Sequence, residues 1–255
     1  MELLFNWIGG ATFILSIGNI NIAVDPALCE KGTVLDFYWF KSKRIKQPIY
    51  SEKDFKNIDI WLITHKHKDH LDSIGLSNIS NFSKIVCNKN SSSILKQSKK
   101  NNLTILDWNE TKEFNIKGYK IEIEAIPAIH GINPISALLA GNVNGYYLTI
   151  SKDKEKKSIY ITGDTVYKNK IIRSLKDKKI DLLIPNMGAV KQGSCIMTMT
   201  LSSKMLKKMI SKLNPKLIIP IHHSAFEHYI EPISKIHELK DSRIQIIETG
   251  SKTIF

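Results

Sequence analysis

The chain has 255 residues, of which 42% are hydrophobic and 24% are charged, a balance that excludes disordered and fibrous proteins. Its formal net charge of +13 comes almost entirely from scattered lysines, so we expect a solvated basic surface and no specific nucleic-acid partner. Cys29, Cys87 and Cys195 form no ligand pair, and the N-terminus resembles neither a signal peptide nor a membrane span; we therefore expect a cytoplasmic protein without a membrane partner.

Short strands open the sequence, since apolar residues alternate over residues 3–24 on either side of a turn at Gly18. Residues 28–56 then break this pattern with the aromatic run Phe37, Tyr38, Trp39 and Phe40, followed by several lysines. We interpret this segment as an excursion from the sheet that forms a pocket wall, a lid or a subunit contact. The alternative is a loop that folds onto its own core.

Further apolar runs alternate with helical patterns along the rest of the chain. Leucines and methionines recur every four residues from Leu201 to Leu213, which predicts an amphipathic helix that ends at Asn214 and Pro215. This order of strands and helices favours an α/β sandwich. Strands are predicted at residues 58–63, 119–126, 146–150, 158–162, 182–185 and 217–221.

A histidine-rich segment follows the predicted strand at 58–63. Residues 64–72 (THKHKDHLD) hold three histidines and two acids. In an extended turn, residues two apart share one side, so His65 and His67 can hold one ion while Asp69 and His70 face a second. Imidazole and carboxylate groups suit zinc, manganese or iron. A solvated polar loop is the alternative explanation.

Three other strands also end in residues that bind metals. His130 follows the strand at 119–126, Asp164 follows the strand at 158–162, and His222 with His223 follows the strand at 217–221. Each residue alone is weak evidence, because a single histidine at a strand end is usually structural. Together they place a candidate ligand at each of four strand ends, which predicts a site for two metal ions.

These motifs resemble the metallo-β-lactamase superfamily, in which such a histidine loop precedes a later histidine, an aspartate and a late histidine. Residues 7–12 (WIGGAT), Asp25 with Pro26, and Thr198 with Met199 are similar to one branch, the ascorbate-6-phosphate lactonase-like metal-dependent hydrolases. The resemblance extends from Trp7 to about Gly250. Many members of that branch have histidine where this chain has Gly10.

The resemblance implies one hydrolase domain over residues 1–255 with a four-layer αββα sandwich and two metal ions at one edge, between the sheets. Asp69 would also orient a metal-bound hydroxide, and His223 is the alternative to His222 as the late ligand. The implied ligands are His65, His67 and His130 for the first metal, Asp69, His70 and His222 for the second, and Asp164 as a bridge. Candidates for orienting these ligands or lining the pocket are Asp72, Thr162, Thr165, His223 and His228.

The function implied is hydrolysis of a small, phosphorylated or lactone-type metabolite by a hydroxide that bridges two divalent cations, zinc or manganese, with iron as a third choice. Two alternatives stay open: a phosphodiesterase or nuclease of the same superfamily, and a metal-binding protein without catalysis. The expected partner is a small-molecule substrate, and self-association into a homo-oligomer is a further prediction.

Overall fold

A computed structural model describes residues 1–37, 40–190 and 198–255. Tyr38, Trp39 and Cys195 of the sequence analysis lie outside these ranges. The elements in chain order are β1 (Leu4–Gly9), β2 (Thr12–Ile17), β3 (Ile20–Val24), β4 (Val34–Asp36), β5 (Lys41–Lys43), α1 (Glu52–Phe55), β6 (Ile60–Ile63), α2 (Ser73–Asn78), β7 (Lys84–Cys87), α3 (Lys89–Gln97), β8 (Leu103–Ile105), β9 (Thr111–Ile116), β10 (Tyr119–Ala128), α4 (Pro134–Ala140), β11 (Val143–Lys152), β12 (Glu155–Ile161), α5 (Asn169–Ser174), β13 (Leu182–Ile184), α6 (Ser203–Leu213), β14 (Leu217–Ile218), α7 (Ser234–His237) and β15 (Lys252–Ile254).

Two large sheets pack face to face. The first has the strand order β15-β1-β2-β3-β6-β7-β8, and the second has the order β14-β13-β12-β11-β10-β9. Alternation along the strands gives each sheet one apolar face toward the other, so that Phe13 and Leu62 of the first sheet share a core with Ile123 and Leu148 of the second. This shared core is the centre of the molecule.

Helices cover the two outer faces. Phe55 of α1 and Leu95 of α3 pack with Trp61 against the outside of the first sheet. On the second sheet, α5, α6 and α7 contribute a separate apolar cluster that includes Met209. The predicted αββα sandwich is therefore confirmed, and the predicted amphipathic helix is α6, which ends at Leu213 before Asn214 in a left-handed conformation. Within the described ranges, no helix is both long and apolar enough to cross a membrane.

The strand directions bring the predicted ligand segments to one edge. Strand β6 runs parallel to β3 and β7, and β12 runs parallel to β13 and β14, so their carboxyl ends lie on common edges. The two sheets meet at this edge: Tyr146 of β11 donates its hydroxyl proton to the carbonyl of Ile63, and Asn144 donates its backbone N–H to the carbonyl of Thr64. Residues that follow β6 and β12 therefore face each other.

Candidate metal centre

Seven side chains from the ends of four strands converge in two groups. Within each group, the atoms that could bind a metal all lie within 4.8 Å of one another. Six of the seven side chains are buried, and His67 is partly exposed. The first group is His65, His67 and His130, and the second is Asp69, His70, Asp164 and His222.

The first group consists of imidazoles alone. His67 Nδ1 lies 3.1 Å from His65 Nε2 and 3.3 Å from His130 Nε2. Burial and the neighbouring rings lower the pKa of His65 well below its ordinary value and the pKa of His67 to about 3; burial also lowers the pKa of His130. All three rings are therefore neutral near pH 7, which is the form that binds metals.

The second group combines imidazoles with carboxylates. His70 Nε2 lies 3.1 Å from His222 Nε2, and Asp69 Oδ2 lies 3.4 Å from His222 Nε2. Burial opposes charge on Asp69, but the rings of His70, His222 and His228 hold the pKa of this carboxyl well below its usual range. The group thus concentrates negative charge among buried side chains.

Asp164 lies between the two groups. Its Oδ1 is 3.3 Å from His70 Nε2 and its Oδ2 is 3.7 Å from His130 Nε2, so each oxygen faces a different group. Asn186 donates its side-chain N–H to Oδ1 over 2.9 Å, which fixes the carboxylate plane. This is the placement that a carboxylate shared by two cations needs.

The hydrogen bonds behind the rings determine which ring nitrogens face inward. His70 Nδ1 donates to Asp25 Oδ2 over 2.7 Å, and the Nδ1 atoms of His130 and His222 donate to the carbonyls of Met199 and Met187. With each Nδ1 proton committed outward, the Nε2 lone pairs point at one another.

Such converging lone pairs require a cation between them. Burial opposes a charge on His70, yet the carboxylates of Asp164, Asp69 and Asp25 raise its pKa well above the ordinary value. Divalent metal ions suit the same donors, since neutral imidazole and carboxylate are the ligands that zinc and manganese prefer. The residues present therefore fit two such ions.

Asp25 and Thr64 support this arrangement, although the sequence analysis assigned them no role. Thr64 donates its hydroxyl proton to Asp25 Oδ2 over 2.6 Å, and its Oγ1 lies 3.0 Å from His65 Nδ1. Asp25 therefore contacts His70 of the second group directly and His65 of the first group through Thr64. Asp25 and His222 both adopt positive φ angles, 44° and 60°, which non-glycine residues rarely do. Asp25 with Pro26 was part of the sequence resemblance, and that pattern was the available signal.

The other predicted site residues separate into two kinds. The side chains of Asp72, Thr162 and Thr165 hydrogen-bond to backbone groups in the described part of the chain, and Asp72 caps α2 by accepting from the N–H of Gly75. They therefore hold the loops around the seven converging side chains, and Asp72 also lines the cavity beside them.

Of the two remaining predicted histidines, His228 contacts a candidate ligand and His223 does not hydrogen-bond to one. The His223 ring turns toward Trp7, with its centroid 5.0 Å away, and neither ring nitrogen has a hydrogen-bond partner among the described residues. The late histidine of the cluster is thus His222. His228 Nε2 lies 3.3 Å from Asp69 Oδ2, and its Nδ1 lies 2.6 Å from Ser42 Oγ. Tyr229, which the sequence analysis missed, donates its hydroxyl proton to the same Asp69 oxygen.

A cavity of about 880 Å³ opens beside the first group, with His67, Asp69, His130 and Asp164 in its wall. Part of the excursion at residues 28–56 lies there: β4 and β5 form a small two-stranded sheet, and Phe37 lines the cavity. Other parts of that segment pack inward, where they belong to the buried core. The excursion therefore supplies both a cavity wall and core.

Comparisons with known proteins identify the family. The family model described as the beta-lactamase superfamily domain matches residues 21–223. N-acyl-phosphatidylethanolamine-hydrolyzing phospholipase D 1 of Caenorhabditis elegans is 24% identical, over 99% of this chain and 74% of that protein. A UPF0173 metal-dependent hydrolase of Pyrococcus furiosus is 25% identical over 86% of this chain and 84% of its own length.

Solved structures share the whole fold. A "possible metal-dependent hydrolase" from Veillonella parvula superposes with a TM-score of 0.86 at 20% identity, covering 99% of both chains. Isothiocyanate hydrolase from Delia radicum gut bacteria has a TM-score of 0.83 at 21% identity, covering 100% of this chain and 99% of that one. The narrower resemblance to ascorbate-6-phosphate lactonase-like proteins stays a prediction. The family match over most of the chain shows that the protein belongs to the metallo-β-lactamase superfamily, as one of its metal-dependent hydrolases.

Proposed function

We propose that this protein uses two divalent metal ions to hydrolyse an ester-type bond, carboxylic or phosphoric, in a small molecule that enters the cavity. One observation carries the proposal: two groups of converging ligand atoms share Asp164 and lie in the wall of that cavity. Burying so many imidazoles and carboxylates together costs stability, so their arrangement indicates a functional site and not a structural one.

The residues of each group have distinct tasks in this proposal. His65, His67 and His130 would hold the first ion, while Asp69, His70 and His222 would hold the second, and Asp164 would be shared between them. The bound cations, zinc or manganese with iron as a third choice, supply Lewis-acid chemistry: they acidify water and polarise a carbonyl or phosphoryl oxygen.

Asp69 is the residue best placed to orient the attacking water. Its carboxylate belongs to the second group and also lines the cavity, so it can accept a proton from a water molecule that faces the substrate. Tyr229 and His228 both contact its Oδ2, at 3.2 Å and 3.3 Å, and thereby restrict its rotation. A carboxylate held in this way loses little entropy when it takes up its role.

Phosphodiester cleavage is the second candidate function, and one comparison favours it. The Caenorhabditis elegans relative, whose name describes hydrolysis of a phospholipid by a phospholipase D, aligns with almost the whole chain. A lactone or phosphorylated metabolite is the substrate class that the sequence resemblance implies. Both reactions need the same two cations and differ in the group that the cavity accepts, so substrate profiling separates them.

The test begins with the metals. Elemental analysis of reconstituted protein should find about two ions per chain, and X-ray absorption should find nitrogen and oxygen ligands at about 2.0–2.2 Å from the ions. The loaded protein is then assayed against lactones, phosphomonoesters, phosphodiesters and thioesters, with His67→Ala as the control that shows dependence on the site. One ion or none at saturation, or no hydrolysis in any class, would contradict the proposal.

Nucleic acid is not the proposed substrate. The basic residues are nearly all lysines, which should bind polyanions weakly and with strong salt dependence. Defined RNA and DNA oligonucleotides should therefore survive incubation with the loaded protein at physiological salt. Metal-dependent cleavage that disappears in His67→Ala would instead establish the nuclease alternative.

A further inference from the structure

The cavity beside the metal centre has two chemically different sides. His67, Asp69, His130 and Asp164 form the polar side, whereas most of the remaining wall is apolar. Ile74 belongs to α2, Ile94 to α3 and Leu138 to α4, so three helices contribute to the apolar wall. A ligand that reaches the metal centre must therefore lie against aliphatic side chains.

Two of these apolar side chains are unusually exposed. Leu138 is 81% exposed and Ile74 is 38% exposed, although both line the cavity. A single exposed leucine is ordinary on a protein surface, but large apolar residues gathered around one cavity indicate a ligand that covers them. By contrast, Phe82 is 94% exposed and lines a different, polar groove.

Aromatic rings extend the apolar surface toward the metal ligands. Phe37 and Phe40 stack on each other with centroids 4.8 Å apart, and both rings meet His228, at 5.3 Å and 5.5 Å. Phe37 also contacts the edge of His67 at 6.2 Å. The apolar surface is therefore continuous up to the place where the bond would be cleaved.

Positive charge lies at the same end of the cavity. Lys66 and Lys68, on either side of His67, are exposed and line the cavity, where Asp36 is the exposed acidic residue. The carboxylates of Asp69 and Asp164 face the metal-binding groups instead. An anionic group of the ligand would find its partners at these lysines.

We propose that the substrate is an amphiphilic ester, with an apolar chain between Leu138, Ile74 and the Phe37–Phe40 pair and an anionic group near Lys66 and Lys68. This inference rests on the proposed function and narrows it to a substrate class. A volume of about 880 Å³ accommodates a drug-sized molecule, which leaves room for a chain of several carbons beyond the ester.

Binding is tested first, with probes that cannot be hydrolysed. Calorimetry measures the affinity of linear alkylphosphonates, from ethyl to decyl, for metal-loaded and metal-free protein, below their micelle concentrations. Each added methylene should raise the affinity by up to about fourfold until the apolar space is full. Because the apolar wall does not depend on the metals, the chain-length dependence should persist in metal-free protein while all affinities fall.

Variants locate the binding space. Leu138→Ser and Ile74→Ser should flatten the chain-length dependence, whereas Phe82→Ser, which removes a still more exposed apolar side chain elsewhere, should leave it unchanged. Lys66→Gln and Lys68→Gln should weaken binding of every phosphonate by a similar factor and preserve the slope. Circular dichroism and thermal unfolding of each variant confirm that it is folded.

Hydrolysis separates this inference from the function on which it rests. Nitrophenyl esters and nitrophenyl alkyl phosphates of increasing chain length should show rising kcat/KM, and the rise should be lost in Leu138→Ser. Hydrolysis without chain-length dependence would contradict the amphiphilic substrate and leave the proposed hydrolase function intact. Chain-length-dependent binding without hydrolysis of any ester would support the apolar binding space and contradict the proposed hydrolase function. Equal effects of Leu138→Ser and Phe82→Ser would mean adsorption to the surface and overturn the proposed space.

Discussion

The two groups of candidate ligands share one carboxylate but have different surroundings. The first, His65, His67 and His130, consists of neutral rings, and His67 is partly exposed beside the cavity. The second is completely buried and includes Asp69 and Asp164. The two groups therefore differ in charge and in exposure to solvent, although the sequence does not distinguish their environments.

From this difference we predict the relative affinities of the two metal sites. A cation gains more from carboxylates in a buried, low-dielectric site than from neutral imidazoles near solvent. Outer hydrogen bonds strengthen the contrast, because Asp25 holds His70 and Tyr229 holds Asp69. We expect the second site to bind its ion more tightly and the first site to exchange its ion with solvent.

Substitution of Asp164, which the two groups share, should lower hydrolysis more than any other change. Asp164→Asn removes the negative charge that offsets repulsion between two cations and keeps the shape of the side chain. We expect hydrolysis to fall by about a thousandfold or more, because the metal centre supplies several kcal/mol of transition-state stabilisation. Metal occupancy should fall as well, with the fold nearly intact.

Asp181→Asn is the matched control for this experiment. Asp181 is also a hydrogen-bonded carboxylate, with partners Ser158 and Lys216, but it lines a different groove, whose wall includes none of the seven ligands. Kinetics and elemental analysis of the two variants should differ sharply. Full activity with unchanged metal content in Asp164→Asn would show that this aspartate is not shared by two ions.

The second prediction addresses the contrast between the groups directly. In the native protein, a chelator titration should remove the two ions in two steps. His67→Ala should bind about one ion and lack the first step, since the buried group is complete without it. His222→Ala should instead lose the more tightly held ion. Simultaneous loss of both ions from the native protein, or loss of both in His67→Ala, would contradict the proposed difference.

Much of this centre was predictable from the sequence because its ligands follow strands. Residues at the carboxyl ends of parallel strands meet at one edge, so the positions of His65, Asp164 and His222 required only the strand pattern and the side-chain chemistry. The choice between His222 and His223 was open, since it depends on a positive φ that adjacent residues in the sequence do not reveal.

Other features depend on contacts that no local pattern encodes. Lys41 and Lys43 appear in the sequence as part of a basic run, yet they are the exposed positions of β5, and Ser42 between them is buried against His228. Similarly, Tyr229 reaches Asp69 across 160 positions of the chain. Such pairs are set by the packing of the two sheets and the hairpin, and neither spacing nor periodicity predicts them.

The third prediction tests the support behind the second group. Asp25→Asn keeps the volume of the side chain but weakens acceptance of the protons of His70 and Thr64. Loss of such an outer partner typically costs 10- to 100-fold in metal affinity, and we expect this of the tighter ion. Asp72→Asn is the control, because Asp72 accepts from the backbone N–H groups of Cys29 and Gly75 and belongs to neither ligand group. Equal losses of metal affinity in both variants would indicate general destabilisation.

Removal of the Tyr229 hydroxyl should lower activity only modestly. Tyr229→Phe removes the hydroxyl that donates to Asp69 over 3.2 Å and retains the ring, which lies 4.0 Å from the His222 ring. One hydrogen bond of this kind contributes about 0.5–1.5 kcal/mol, so kcat should fall by about 2- to 10-fold. Metal content should stay at about two ions per chain, and KM should change little, because the hydroxyl positions Asp69 and does not form the apolar wall.

Tyr160→Phe provides the matched control for that change. Its hydroxyl is also buried but has no hydrogen-bond partner among the described residues, so its removal should leave kcat unchanged. Steady-state kinetics of the two variants with one substrate make the comparison. A fall in kcat confined to Tyr229→Phe assigns the effect to the orientation of Asp69, whereas equal kcat values would remove Tyr229 from the support of the second group and reduce the difference between the groups to burial and charge.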